Sequence, residues 1–115
     1  MLNKILYLYK ICSIKDYKMF MLQGIFKGNK KDHEDKFIHL SKADQVKKTL
    51  KVHFFGKKNL YLIKIRAKNL NIRWEKSRDN LLFPHLYGSF DKKNIVKVYY
   101  LILNKKGIHI LPILD

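Results

Sequence analysis

The chain is poor in the residues that staple, hinge or anchor a protein. Its 115 residues include one cysteine, two prolines, five glycines, two alanines and three arginines. A lone Cys12 forbids an intrachain disulfide. Set in an apolar segment, it reads as an inert small hydrophobe in a protein of the reducing cytoplasm. The glycines and prolines sit singly at turns, so no linker or low-complexity stretch divides the chain, and 1–115 is expected to be a single domain. Long apolar runs are missing too. Ile5 to Tyr9 falls far short of a leader core, and Val98 to Leu103 is about a third of the ~20 residues a membrane helix needs. The expectation is a soluble protein with no membrane anchor. Acidic residues are scarce: 9 Asp+Glu stand against 25 Lys+Arg, a formal net charge of +16.

What is present is a core. Apolar residues make up 47% and aromatics 13% of the chain, too much for a disordered polybasic tail. The charge invites a nucleic-acid reading, but its make-up weakens that reading. There are 22 Lys against three Arg (Arg66, Arg73, Arg78), with 13 Ile and 8 Asn. Lys, Ile and Asn share A/T-rich codons, so nucleotide bias is the plainest account of the lysines. The five Lys-Lys pairs begin at Lys30, Lys47, Lys57, Lys92 and Lys105, scattered over predicted turns and one helix face. A specific groove would cluster its cations and use arginine for two-pronged contacts. RNA is a partner only through non-specific attraction of its phosphates to this basic surface.

The apolar pattern places the elements. Leu6–Cys12 reads as a strand. Ser13 with Asp16 resembles a capping box and opens a helix to about Gln23, where Gly24 supplies the left-handed end. Gly28 to Lys36 is polar and reads as a loop, and Phe37–Leu40 as a strand. Ser41 with Asp44 repeats the cap, opening a second helix from Lys42 to Phe55 that Gly56 stops. Leu60–Ile65 is a strand, Ala67–Leu70 a single helical turn, Ile72–Glu75 a short strand and Lys76–Leu82 a loop. Phe83–Phe90 holds Pro84 and Gly88, so it is extended but irregular. Ile95–Leu103 and Ile108–Leu111 flank a turn and form a hairpin. The sum is an α+β fold, with two helices and a mostly antiparallel, split sheet of about six strands.

Few constellations suggest chemistry. His33-Glu34-Asp35 lies six residues before His39, which is no metal-binding spacing, so no metal site is expected. In Phe37-Ile38-His39-Leu40-Ser41, strand alternation puts His39 and Ser41 on one side with Phe37. A histidine at a strand end beside a helix start suits a sugar hydroxyl or a phosphate, and equally a core histidine satisfied by a backbone carbonyl. Arg73 and Glu75 share a strand face, with Trp74 expected in the core. Two of the three arginines, Arg73 and Arg78, sit in this segment. Where drift favours lysine, a kept arginine implies that its planar fork is needed. His85 follows Glu75 by ten residues, in an irregular stretch of the kind that lines sites.

Several phrases together resemble one small bacterial family. They are Tyr9-Lys10-Ile11, Phe37 to Ser41, Gln45-Val46 with Thr49 and Phe54, Arg73-Trp74-Glu75-Lys76-Ser77, Phe83-Pro84-His85-Leu86-Tyr87-Gly88 and Leu111-Pro112. The family is that catalogued as domain of unknown function 952. Its members sometimes carry a glutathione S-transferase-like label, although no all-helical transferase domain fits this chain. The family is distantly similar to ADP-ribosyltransferases, especially RNA 2′-phosphotransferases, whose split antiparallel sheet holds NAD in a cleft. That resemblance implies a nucleotide-like ligand, NAD or a nucleic-acid end, and a transferase acting on NAD. It implies His39 and Glu75 as catalytic residues, and Lys10, Ser41, Arg73, His85 and Tyr87 as ligand-binding. The chain departs from the superfamily at Tyr9-Lys10, where a His or Arg is expected on the first strand, and Glu75 has no secure counterpart. The alternatives are a non-catalytic nucleotide sensor and an RNA-binding module.

Overall fold

The computed structural model describes residues 6–115; Ile5 of the apolar N-terminal run lies outside the described residues. The fold is α+β, with mostly antiparallel strands in three small sheets. Strand β1 (Tyr7–Ser13) pairs with β4 (Leu60–Arg66), which pairs with β8 (Ile95–Leu103), and β8 ends beside β9 (His109–Ile110). A second sheet runs β3 (Ile38–His39), β6 (Leu82–Leu86), β5 (Ile72–Lys76). The two are stitched at Tyr9 and Ser41, whose backbones exchange two N–H···O bonds of 2.9 Å. The third, β2 (Ile25–Phe26) with β7 (Phe90–Asp91), is a two-residue clasp.

β1 is buried on both faces, which is why it reads as a continuous apolar run. Leu8 and Cys12 point to one core with Ile63, Ile65 and Phe20. Tyr9 and Ile11 point to the other with Val46, Leu50 and Leu62. Helix α1 (Ile14–Gln23) covers the first side. Its Phe20 meets Phe26 and Phe90 edge-on at 5.6 and 5.4 Å, while those two rings stack at 4.9 Å. Each such ring brings about 1.5–3 kcal/mol of burial and geometry-specific attraction. Helix α3 (Ala43–His53) covers the second side with Val46 and Leu50.

The first cap forms as the sequence implies. Ser13 Oγ accepts from the Asp16 amide at 3.1 Å, and Gly24 takes φ 79°. Four expectations change. The polar segment Gly28 to Lys36 is no loop: residues Lys30–Asp35 form a third helix, α2, with a full Asn29/Asp32 capping box. Its one buried residue is Asp32, so it has no apolar stripe to betray it. Ser41 does not cap α3, because its backbone is spent on Tyr9; the cap position is Lys42, whose N–H donates to Gln45 Oε1 at 3.0 Å. Ala67–Leu70 is a turn closed by the Leu70 amide on the Ala67 carbonyl, with Asn69 at φ 66°, instead of a helical turn. Trp74 lies opposite Pro84 on the outer strand β5 and is 39% exposed, outside the core.

Candidate functional site

The site is organised by a buried carboxylate. Asp32 projects from α2 beneath β1 and β3 and is 2% exposed. Lys10, also 2% exposed, places Nζ 2.9 Å from Asp32 Oδ2 and donates to the His39 carbonyl at 3.0 Å. The amides of His39 and Asn29 donate to the two Asp32 oxygens at 3.0 and 2.9 Å. His39 Nδ1 lies 2.6 Å from Asp32 Oδ1. A buried charge needs this degree of satisfaction. Burial pushes the Asp32 pKa up, but the hydrogen bond with His39, the Lys10 ammonium and the two amides outweigh it, and the pKa falls to about 2.

Strand alternation then decides what His39 offers. Ile38 and Leu40 turn into the core, while His39 stands on the opposite face with its side chain a third exposed. Its Nε2 meets Asp35 Oδ2 at 2.8 Å, on the last turn of α2. Asp35 also faces Lys31 Nζ at 3.4 Å. The imidazole is therefore gripped at both nitrogens by carboxylates of one short helix, which fixes its orientation and leaves neither ring nitrogen free.

The face of the second sheet beside His39 carries the other expected residues. Phe37 stacks on His85 at 3.9 Å and lies 5.5 Å from the Tyr87 ring. Glu75 Oε1 accepts from Tyr87 OH at 2.6 Å and faces His85 Nδ1 at 2.8 Å. The hydrogen bonds from Tyr87 and His85 hold the Glu75 pKa below the usual carboxylate value, and the bond to Glu75 raises that of the Tyr87 hydroxyl. Arg73 lays its guanidinium 4.4 Å over the Tyr87 ring.

A cavity of about 340 Å³ opens between β1, α3, β3 and the end of β6. His39, Ser41, Lys10 and His85 line it. Arg73, Glu75 and Tyr87 are not among its lining residues; they stand on the adjoining sheet face, where Glu75 fixes His85. The arginine in the wall is Arg78, from the turn between β5 and β6. Its Nη2 donates to Thr49 Oγ1 at 3.2 Å, and its guanidinium lies 4.9 Å from the Phe83 ring. Its Nε is buried without a hydrogen-bond partner. Lys31 and Lys57 add cations, Phe54 and Phe83 add rings, and the one acid in the wall is Asp32, already matched by Lys10.

Sequence reasoning placed His39, His85, Ser41 and Lys10 but assigned no role to Asp32. The spacing of Asn29 and Asp32 was the available signal, an Asx residue with a partner three positions on. Arg78 was noted for its rarity without a role. Among the described residues, no group of three or more His, Cys, Asp or Glu side chains is arranged to hold a metal ion. Among the same residues, no helix is long and apolar enough to cross a membrane.

Solved structures share this fold. The crystal structure of protein CC0527 from Caulobacter crescentus is 34% identical and superposes with a TM-score of 0.84, over 90% of this chain and 92% of that one. Its solution structure is 35% identical with a TM-score of 0.79, over 89% and 90%. No curated protein matches the chain. Residues 11–98 match the family described as "Protein of unknown function (DUF952)", and the chain belongs to that family.

Proposed function

We propose that the cleft binds a nucleotide-type ligand, with phosphate held by its cations and a ring laid against its aromatic wall. The observation that carries this reading is the wall itself. One cavity joins Lys31, Lys57 and Arg78 to Phe54, Phe83 and His85, with its single carboxylate neutralised from below. A cation excess attracts phosphate, and rings supply stacking area that every base can use. On this reading Ser41, in the cavity wall, meets a sugar hydroxyl, and proton transfer through His39 requires the ligand to displace Asp35 from its Nε2. The enzymatic form of this reading is a transferase acting on NAD, with His39 and Ser41 at the ribose. For Glu75 it leaves a positioning part, since the carboxylate holds His85 and Tyr87 outside the cavity lining.

The test is thermal unfolding against a panel of nucleosides, nucleotides and NAD. A ligand at a hundredfold excess over its Kd stabilises by about 2.7 kcal/mol. Chromatography of NAD incubated with RNA or protein acceptors reads nicotinamide release. Stabilisation with release supports the transferase, and stabilisation without release supports a sensor. No stabilisation by any member of the panel overturns the reading.

A further inference from the structure

The geometry points to Arg78 as the receptor for a terminal phosphate monoester, so that the ligand class is a single phosphorylated nucleoside and not a dinucleotide. This rests on the nucleotide reading of the cleft and narrows it, setting aside its NAD-transferase form.

Three observations converge on that corner. The first is an unmet donor set. A guanidinium carries five N–H donors in a rigid fork. In Arg78 one is spent on Thr49, Nε is buried with no hydrogen-bond partner, and the side chain is only 17% exposed. Nε is closed off from the cavity, so the donors left to a ligand are the remaining Nη N–H groups, which no protein hydrogen bond uses. The second is local charge. The nearby carboxylate is that of Asp79, 3.9 Å from Nε, beyond hydrogen-bond reach. Its oxygen is already held by Lys48 at 2.6 Å, so the corner keeps a net positive charge. A phosphate monoester brings three acceptor oxygens and about −1.5 to −2 charge at neutral pH, which suits a fork better than a point-charge lysine would. In a chain with 22 lysines, the three arginines are the exceptions, and this one stands in the cavity.

The third observation is size. At about 340 Å³ the cavity lies at the lower end of the ~300–1,000 Å³ common for small-molecule sites. That is room for one base, sugar and phosphate.

The experiment measures the affinity of the wild-type chain for adenosine, its 5′-monophosphate, the methyl ester of that monophosphate, and NAD, with the guanine, cytosine and uracil counterparts in parallel. The monophosphate is expected to bind about tenfold or more above both the nucleoside and the methyl ester, and above NAD. Arg78→Lys should erase that margin, and Arg73→Lys should leave it intact. Equal binding of nucleoside and monophosphate, or NAD binding tighter than the monophosphate, overturns the assignment while the nucleotide reading stands. Absence of binding by every compound overturns both. Because the ligand series is run on the wild type, a folding defect in the Arg78 variant cannot mask the result.

Discussion

Lys10 and Asp32 illustrate how much a single residue depends on its partners. Either one alone would be an uncompensated charge beneath two sheets, a defect of about 3–5 kcal/mol. Asp32→Asn should therefore destabilise the fold by about that amount, read by urea unfolding near pH 6. The pH dependence follows from the same pair. The folded-state pKa of Asp32 lies at about 2 against an ordinary 3.8. A depressed carboxyl gives stability that is complete above the unfolded value and is lost as pH falls through the folded one. The wild type should lose about 2 kcal/mol between pH 5 and pH 2 through this group. In Asp32→Asn that part of the acid loss should vanish; an unchanged slope would count against the buried pair. Lys10 and Lys64 are the buried lysines among the described residues, and each meets a carboxylate: Asp32 for one, Asp115 for the other. The remainder of the described lysines are on the surface or partly so, as a codon-driven origin would leave them.

At the scale of elements, α2 shows what an apolar pattern misses. α1 was legible because Ser13, Asp16 and Gly24 mark its ends while Tyr17, Phe20 and Met21 mark its inner side. α3 was legible along its body, yet its start was misread. Ser41 is chemically an ideal cap, and only the tertiary bridge to Tyr9 moves the helix start past it. α2 has neither apolar period nor length. It exists because Asn29 and Asp32 satisfy each other's amides and because Asp32 is anchored in turn by Lys10 and His39. Asn29→Ala should cost about 1 kcal/mol. The loss should concentrate in α2, seen as faster amide exchange over 30–36 with little change in β4. Uniform acceleration across the chain would show instead that α2 opens only with the whole fold. This helix presents both carboxylates to His39, so the same variant loosens the imidazole that the cleft depends on.

Across the whole molecule, the site was legible by segment but not by side chain. His39 and His85 were legible as a strand end and an irregular extended stretch. They are antiparallel register partners across β3 and β6, His39 a third exposed and His85 buried. Arg73 and Arg78 were equal candidates on composition. The strand β5 sets Arg73 over Tyr87, while the turn that follows swings Arg78 back onto Thr49 of α3. A contact between residues 29 positions apart has no local signature. The positive charge, by contrast, has no single address: its lysine pairs lie on α2, α3 and separate turns. It provides background attraction for phosphate and leaves selection to the cleft.

The fold also carries its own stopwatch. Cys12 lies in the middle of the first core, 1% exposed, opposite Tyr61 on β4, and burial pushes its thiol up to about 12. Thiol reagents attack the thiolate, which is scarce here and shielded by α1. Reaching it requires α1 to lift from the face of β1 and β4, which opens the first core. With one sulfhydryl in the chain, each labelled molecule records one opening of that core, read by mass as a single addition. Labelling of the native protein at neutral pH should proceed at the unfolding rate under excess reagent and quicken in Asp32→Asn. Prompt labelling in the absence of denaturant would mean that α1 lifts on its own.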